Sequence, residues 1–397
     1  MKRIKTIGTF KLEINQQKDK IIIRDPETKK SVTCDYQNYN ETLDQFIEDL
    51  KDGEKIFLIS PRRYGKTSLI VNTLEKLKKQ GLYTIYIDLY KATSLHKLLE
   101  LYAREIALKV ETKVERAISL IKETLPRLRP KITIGADGSP SIGIDYISER
   151  GDVLRSFDEL FELPQKIALK KKKNFVIVFD EFQEIRDFDG ESLEKSLRSC
   201  IQHQRNVAYL FAGSKTHMIE DMVFNKDRAF YKIGKVMNLD KIPRAEFEKF
   251  LSDKFKTTGF SLDKGTLDKI LDKVENYPYN AQFLCHELWD RHRDRKKINI
   301  TDVKTCLKKI VNEQSPYYIT LWDDLTINQR DVLSAIVNIG GKRIFSQDFA
   351  SASGIKPYST LQTSVSLLIK KGILAKSNDT YEITDVFFKE WIRLMTG

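Results

Sequence analysis

The sequence predicts an α/β fold: a parallel sheet wrapped by helices, then a helical lid subdomain, then a C-terminal winged helix-turn-helix. Three observations predict it. The apolar runs "KIFLIS", "LYTIYIDLY", "FVIVFDEF" and "VAYLFAGS" alternate with helical patterns, as the buried strands of a parallel sheet do. From about Asp240 such runs cease and helical periodicity takes over. From about Leu325, three helical patterns are followed by a short two-strand pattern and a last helix.

In chain order, residues 1–35 are expected to form a small β element, with "TFKLEI" and "KIIIRD" alternating and "PETKK" turning. A helix follows over "NETLDQFIEDLKDG", with Leu43, Phe46, Ile47 and Leu50 on one face and Gly53 as its stop. "KIFLIS" is a buried strand, "TSLIVNTLEKLKKQG" an amphipathic helix ended by Gly81, and "LYTIYIDLY" a second strand. A long helical stretch is expected from about Ser94 to Leu128. The segment "KITIGADGSPSIGIDY" alternates on both sides of "ADGSP", a β-hairpin inserted near 131–146. Helix resumes over Asp152 to Lys170. These signals divide the chain into a β element (1–35), an α/β domain (36–239), a helical lid (240–324) and a winged helix-turn-helix (325–397).

Composition narrows the class. Of 397 residues, 41% are apolar and 31% charged, so large cores are affordable and no disordered tract stands out. No run of about 18 apolar residues occurs, so no membrane association is expected, and the basic N-terminus lacks the apolar stretch of a signal peptide. A cytoplasmic protein is expected. Cys34, Cys200, Cys285 and Cys306 have no metal or disulfide spacing, and the five histidines form no ligand set. The net charge of +12 attracts polyanions, or is simply a solvated lysine-rich surface.

"LISPRRYGKTSLI" is the most informative stretch. It sits between a strand and a helix, and Ser60, Pro61, Arg62, Arg63, Tyr64, Gly65, Lys66 and Thr67 fill the frame G-x-x-x-x-G-K-[ST] of a P-loop NTPase, with Ser60 in place of the first glycine. Gly65 lets the backbone N–H groups face phosphates. Lys66 would reach the β and γ phosphates, Thr67 would ligate Mg2+, and Ser68 lies at the helix N-terminus, where the dipole favours anions. "FVIVFDEFQEI" ends a buried strand in two acids, where open α/β sheets bind ligands. Asp180 is the candidate for the Mg2+ shell and Glu181 for the general base. Ser214, at the end of "YLFAGS", either contacts the γ-phosphate or attacking water, or caps the next helix; Lys215 is a spare cation.

The segments "SPRRYGKTSLI", "YIDLYKATS", "FVIVFDEFQEI", "YLFAGSK" and "AFYKIGKVMNLDKI", in this order, resemble the prokaryotic, archaeal-type ATPases of the STAND branch of AAA+ P-loop NTPases, over about residues 40–315. That resemblance implies ATP and Mg2+ as ligands, a nucleotide-binding α/β domain, a helical lid and a winged helix. It also implies a lid contact to the nucleotide at a Gly-x-Pro-like place. Here that place is "NYPYNAQFL", with Pro278 preceded by Asn276 and Tyr277 and the glycine absent. Arg228 and Lys235, around "RAFYKIGK", are the nearest candidates for a sensor cation, or are plain surface cations.

In the last segment, Leu361, Val365, Leu368 and Ile369 give the third helix an apolar face. The opposite face offers Tyr358, Ser359, Thr360, Gln362, Thr363 and Ser366, with Lys370 and Lys371 at the end, which suits a groove and phosphates of double-stranded DNA. No arginine is present for bidentate guanine contact. Protein contact or self-packing is the other use of such a unit. Three functions stay open: a DNA-associated ATPase, a slow nucleotide switch acting on a protein partner or homo-oligomer, and a transcription factor with a structural nucleotide site.

Overall fold

The computed structural model describes residues 3–7, 10–17, 20–24, 31–34, 40–111, 113–124, 128–134, 140–146, 150–377 and 379–396; the turn expected over 26–30 and most of the "ADGSP" turn lie outside them. The chain forms two compact units, Met1–Asp240 and Lys241–Gly397.

In the first unit, strands β1 (Arg3–Ile7), β2 (Phe10–Gln17), β3 (Lys20–Arg24) and β4 (Ser31–Cys34) form an antiparallel sheet in chain order. Helix α1 (Asn40–Lys51) buries Leu43, Phe46, Ile47 and Leu50, the face its 3–4 spacing predicts. Then come β5 (Lys55–Ile59), α2 (Lys66–Lys79), β6 (Tyr83–Asp88), α3 (Leu95–Val110), α4 (Val114–Thr124), the hairpin β7 (Leu128–Ile134) and β8 (Pro140–Tyr146), and α5 (Arg150–Lys171). The series closes with β9 (Phe175–Asp180), α6 (Arg186–Ile201), β10 (Val207–Gly213), α7 (Thr216–Phe224) and β11 (Lys235–Asn238).

One helical expectation is corrected. The helical stretch expected over Ser94 to Leu128 is interrupted: Glu111 turns extended (φ −119°, ψ 131°) and ends α3, α4 follows, and Leu128 already begins β7. Val110, the β-branched last residue of α3, lowers the helix propensity at this point.

The central sheet has the order β11-β5-β10-β9-β6 and is parallel throughout. All five C-terminal ends therefore meet one edge. The register sets Asp180 level with both Asp88 and Ala212. β9 and β10 are buried along their whole length. Beneath the edge Phe57, Phe182, Phe211 and Phe230 pack ring to ring, with Phe182 and Phe211 centroids 4.4 Å apart and Phe57 and Phe211 4.9 Å apart. Each fully buried phenyl contributes roughly 1.5–3 kcal/mol. The residue after Glu181 is thus anchored in the core.

The second unit begins with α8 (Arg244–Thr257), the short strand β12 (Ser261–Leu262), α9 (Thr266–Val274), α10 (Pro278–Arg291), the short strand β13 (Lys297–Ile298) and α11 (Ile300–Asp323). The short strands pair in parallel. Next are α12 (Ile327–Ile339), α13 (Gln347–Ser353), α14 (Tyr358–Lys370), the antiparallel wing β14 (Leu374–Ser377) and β15 (Thr380–Ile383), and α15 (Val386–Thr396). Thr326 opens α12 with a capping box to Gln329.

Lid helices and winged helix share one core within this unit. Tyr318 of α11 packs on Phe388 and Trp391 of α15, and Trp391 Nε1 donates to Ser315 Oγ at 3.0 Å. Around that core run ion pairs Lys273–Glu390 (2.7 Å), Lys389–Glu275 (2.5 Å) and Lys241–Glu382 (2.8 Å), and the Tyr277 hydroxyl donates to Glu382 at 2.9 Å.

Candidate active site

The loop after β5 turns by left-handed backbone at Arg63 (φ 73°) and Gly65 (φ 89°). Gly65 meets that demand at no steric cost, while Arg63 is held there by its surroundings. Ser60 is not left-handed. It stays in the sheet, fully buried, donating its N–H to Gly213 O at 3.2 Å and its hydroxyl to Pro61 O at 3.1 Å. The frame's missing glycine is therefore not needed at that position.

Gly65 is the N-cap of α2 and offers no side-chain cap, and no acid lies in the first turn. With no capping side chain and no acid in the first turn, the positive end of the helix dipole is left for a ligand, which suits a phosphate. Tyr64 is buried, Pro61 and Ser68 are half-buried, and the exposed Arg62 donates to the Tyr90 hydroxyl at 3.0 Å.

Lys66 is 6% exposed and ties the loop to the end of β9: its Nζ lies 2.7 Å from Asp180 Oδ1 and 3.1 Å from Glu181 Oε1. The Thr67 hydroxyl donates to Asp180 Oδ2 at 3.4 Å. Glu181 takes the left-handed conformation (φ 56°), which turns its carboxylate back over the strand ends. Its Oε2 accepts from Gln183 Nε2 at 2.8 Å and from Ser214 Oγ at 2.6 Å. Burial pushes the Glu181 carboxyl up, but the Lys66 ammonium and the hydrogen bonds from Ser214, Gln183 and Lys66 outweigh it and hold it below the ordinary carboxylate value. It is ionised near neutral pH.

Lys66, Thr67, Asp180, Glu181 and Ser214 are thus brought together from three strand ends. Ser214 reaches the carboxylate rather than capping α7, whose N-cap is Lys215, without a side-chain bond. Lys215 pairs with Glu184 at 3.1 Å.

Two polar groups of the cluster carry no motif. Tyr86 of β6 donates its hydroxyl to Asp180 Oδ2 at 2.6 Å. Gln183 is fully buried, bridges Glu181 and Glu184, and requires Gly213 opposite: a Cβ there would lie 2.6 Å from Gln183 Oε1. The period of two along β6 was the available signal for Tyr86, since residues two before a strand end share its face.

Other candidates lie elsewhere. Arg228 is taken up by Glu194, with which it makes a short pair, and by Glu191 and Asp221 at 3.9 and 3.8 Å. Lys235 is no sensor: it is level with Ile56, at the opposite edge of the sheet, and pairs with Asp49 at 2.9 Å. Pro278 is the first residue of α10 in the second unit, and Asn276 before it is left-handed (φ 58°), the conformation a glycine would adopt. On α14, Ser359, Gln362, Thr363 and Lys370 are exposed, Thr360 is half-buried, and Tyr358 is 54% exposed with its ring 5.5 Å from that of Phe345. Lys371 is engaged, donating to Asp324 O at 2.9 Å.

The profile of an ATPase domain predominantly from Archaea matches residues 41–280, more than half of the chain. The chain belongs to that ATPase family. A second profile, of a probable winged helix domain, matches residues 316–394 of the chain. Among solved structures, a Walker-type ATPase of Pyrococcus abyssi superposes with a TM-score of 0.61 at 16% identity, over 90% of this chain and 96% of that one. The ORC2 protein of Aeropyrum pernix, in ADPNP-ADP complexes, gives 0.53 at 13% identity, over 91% and 95%. These likenesses are of fold. Among curated proteins, none matches this chain. No described helix is long and apolar enough to cross a membrane.

The residues fit Mg2+ and ATP. Thr67 and Asp180 supply the one hydroxyl and one carboxylate that a hard cation takes when phosphates complete its shell. Lys66 and the uncapped start of α2 supply the positive surroundings of a phosphate chain.

Proposed function

We propose that the chain binds ATP with Mg2+ across these strand ends, hydrolyses it, and couples nucleotide state to DNA or partner binding through the winged helix. The observation that carries the reading is the single cluster of Lys66, Thr67, Asp180, Glu181 and Ser214, joined by contacts of 2.6–3.4 Å. The order of the motifs supports the STAND branch of AAA+ ATPases, working in the cytoplasm.

Lys66 exchanges its two carboxylates for β and γ phosphate oxygens. That exchange frees Glu181 Oε1, which accepts a proton as water oxygen bonds to the γ-phosphorus and the bond to ADP breaks. Ser214 and Gln183 keep the other oxygen, Oε2, in place. Thr67 and Asp180 would hold Mg2+, which would supply positive charge to the phosphate oxygens.

A second reading is a slow switch that controls a protein partner or homo-oligomer without DNA. It is favoured by the three donors that already occupy both oxygens of Glu181, and by the wing, whose Glu382 is taken by the lid residues Lys241 and Tyr277.

ATP hydrolysis with and without duplex DNA separates the two. DNA-stimulated turnover that is lost in Lys66→Ala and Glu181→Gln supports the first. Slow turnover indifferent to DNA supports the second. ATP binding by Lys66→Ala equal to wild type overturns both.

A further inference from the structure

We propose that Tyr86 is a positioning residue for Asp180, holding that carboxylate in the orientation in which it ligates Mg2+; this rests on reading the strand ends as a Mg2+-ATP site. Asp180 is 1% exposed and has four donors. Oδ1 accepts from Lys66 Nζ (2.7 Å) and from the Glu181 N–H (3.0 Å), and Oδ2 from the Tyr86 hydroxyl (2.6 Å) and from Thr67 (3.4 Å). Two of the four are groups that the ligand claims: Lys66 turns to phosphate, and Thr67 turns to the cation. The Glu181 N–H and the Tyr86 hydroxyl remain, one on each oxygen. Two donors on opposite oxygens fix the rotation of a carboxylate, while one leaves it free to turn about the other contact.

The sheet sets Tyr86 in place. It is level with Val178, two residues before Asp180 on the neighbouring strand, so both side chains share a face. A hydroxyl that orients a metal-ligating carboxylate acts on the metal through it, and loss of such an outer partner weakens metal affinity by about tenfold or more.

Phenylalanine keeps the ring and removes only the donor. The test is equilibrium binding of a fluorescent ATP analogue to wild type and Tyr86→Phe, each in Mg2+ and in EDTA, with thermal melting alongside. The expected result is binding weakened about tenfold in Mg2+ and unchanged in EDTA, with a matching rise in the Mg2+ concentration needed for half-maximal binding. Equal weakening in both conditions means that Tyr86 only supports the fold, and unchanged binding in both means that it does nothing for Asp180; either overturns the inference. Wild-type binding that ignores Mg2+ overturns the parent reading instead, and is told apart because it needs no variant.

Discussion

The strand ends of the first unit and the recognition face of the second are both polar, and they are built in opposite ways. At the strand ends the side chains are cross-bonded: Lys66 to two acids, Asp180 to four donors, Glu181 to three. On α14, Ser359, Gln362, Thr363 and Lys370 stand in solvent. A site that must hold a charged ligand in one geometry has its groups fixed in advance, whereas a face that follows a phosphate backbone needs charge more than geometry. Changes at the strand ends should therefore cost much, and changes on α14 little.

The largest break is at Lys66. Lys66→Ala leaves Asp180 and Glu181 without their counter-charge, so the first unit should lose about 3–5 kcal/mol in denaturant unfolding as well as its nucleotide affinity. Glu181→Gln should keep ATP binding and lower turnover by about 10²–10⁴-fold in a steady-state assay. If turnover survives, Glu181 is not the base.

Gly213→Ala is next. The added methyl meets Gln183 Oε1 and Ile219 Cγ1, both at 2.6 Å, and is expected to destabilise by about 1–3 kcal/mol. Wild-type stability in this variant would show that the floor of the site yields, against the contrast drawn here.

Glu382 gives a pH-dependent effect. Burial raises its carboxyl, but Lys241, Tyr277 and Lys389 outweigh that and hold it below its ordinary value of 4.5. A lowered folded value means stability that is present above pH 4.5 and lost as pH falls through the folded value. The gap in melting temperature between wild type and Glu382→Gln should close as pH drops below 4.5. A gap that stays constant would show that the ion pair does not carry it.

The smallest change is at Lys370. If α14 meets DNA, Lys370→Ala should weaken binding alike for all sequences and lower the salt slope by about one. A sequence-dependent loss would make α14 a reader of bases and erase the contrast.

How much of this was legible follows the distance between partners. The loop motif and the acids at 180 and 181 could be read because each is local: a strand, a turn and a few residue types. Their meeting followed from the parallel sheet. The period of two puts Tyr86 on the face of Asp88 at the end of β6, but nothing in "YTIYID" pairs it with Asp180, and a glutamine after "FDEF" fits an ordinary turn. Only the register across β6 and β9 makes one of them a partner of Asp180. Arg228 shows the converse: its sequence context suggests a sensor, and the acid that takes it up, Glu194, lies 34 residues away in sequence. On the second unit, the helices and wing were legible from periodicity, but the pairing of Glu382 with Lys241 and Tyr277 spans more than a hundred residues and leaves no local trace.

That last seam has a consequence for inheritance. Three carboxylates on the C-terminal side or the lid side, Glu275, Glu382 and Glu390, each find their lysine across it. A recombination event that swapped only the segment after residue 324 would strand these charges and expose the aromatic contact of Tyr318 with Phe388 and Trp391. A hybrid gene joined at residue 241 would keep every one of them. A chimera that keeps these contacts has to exchange the lid and winged helix together.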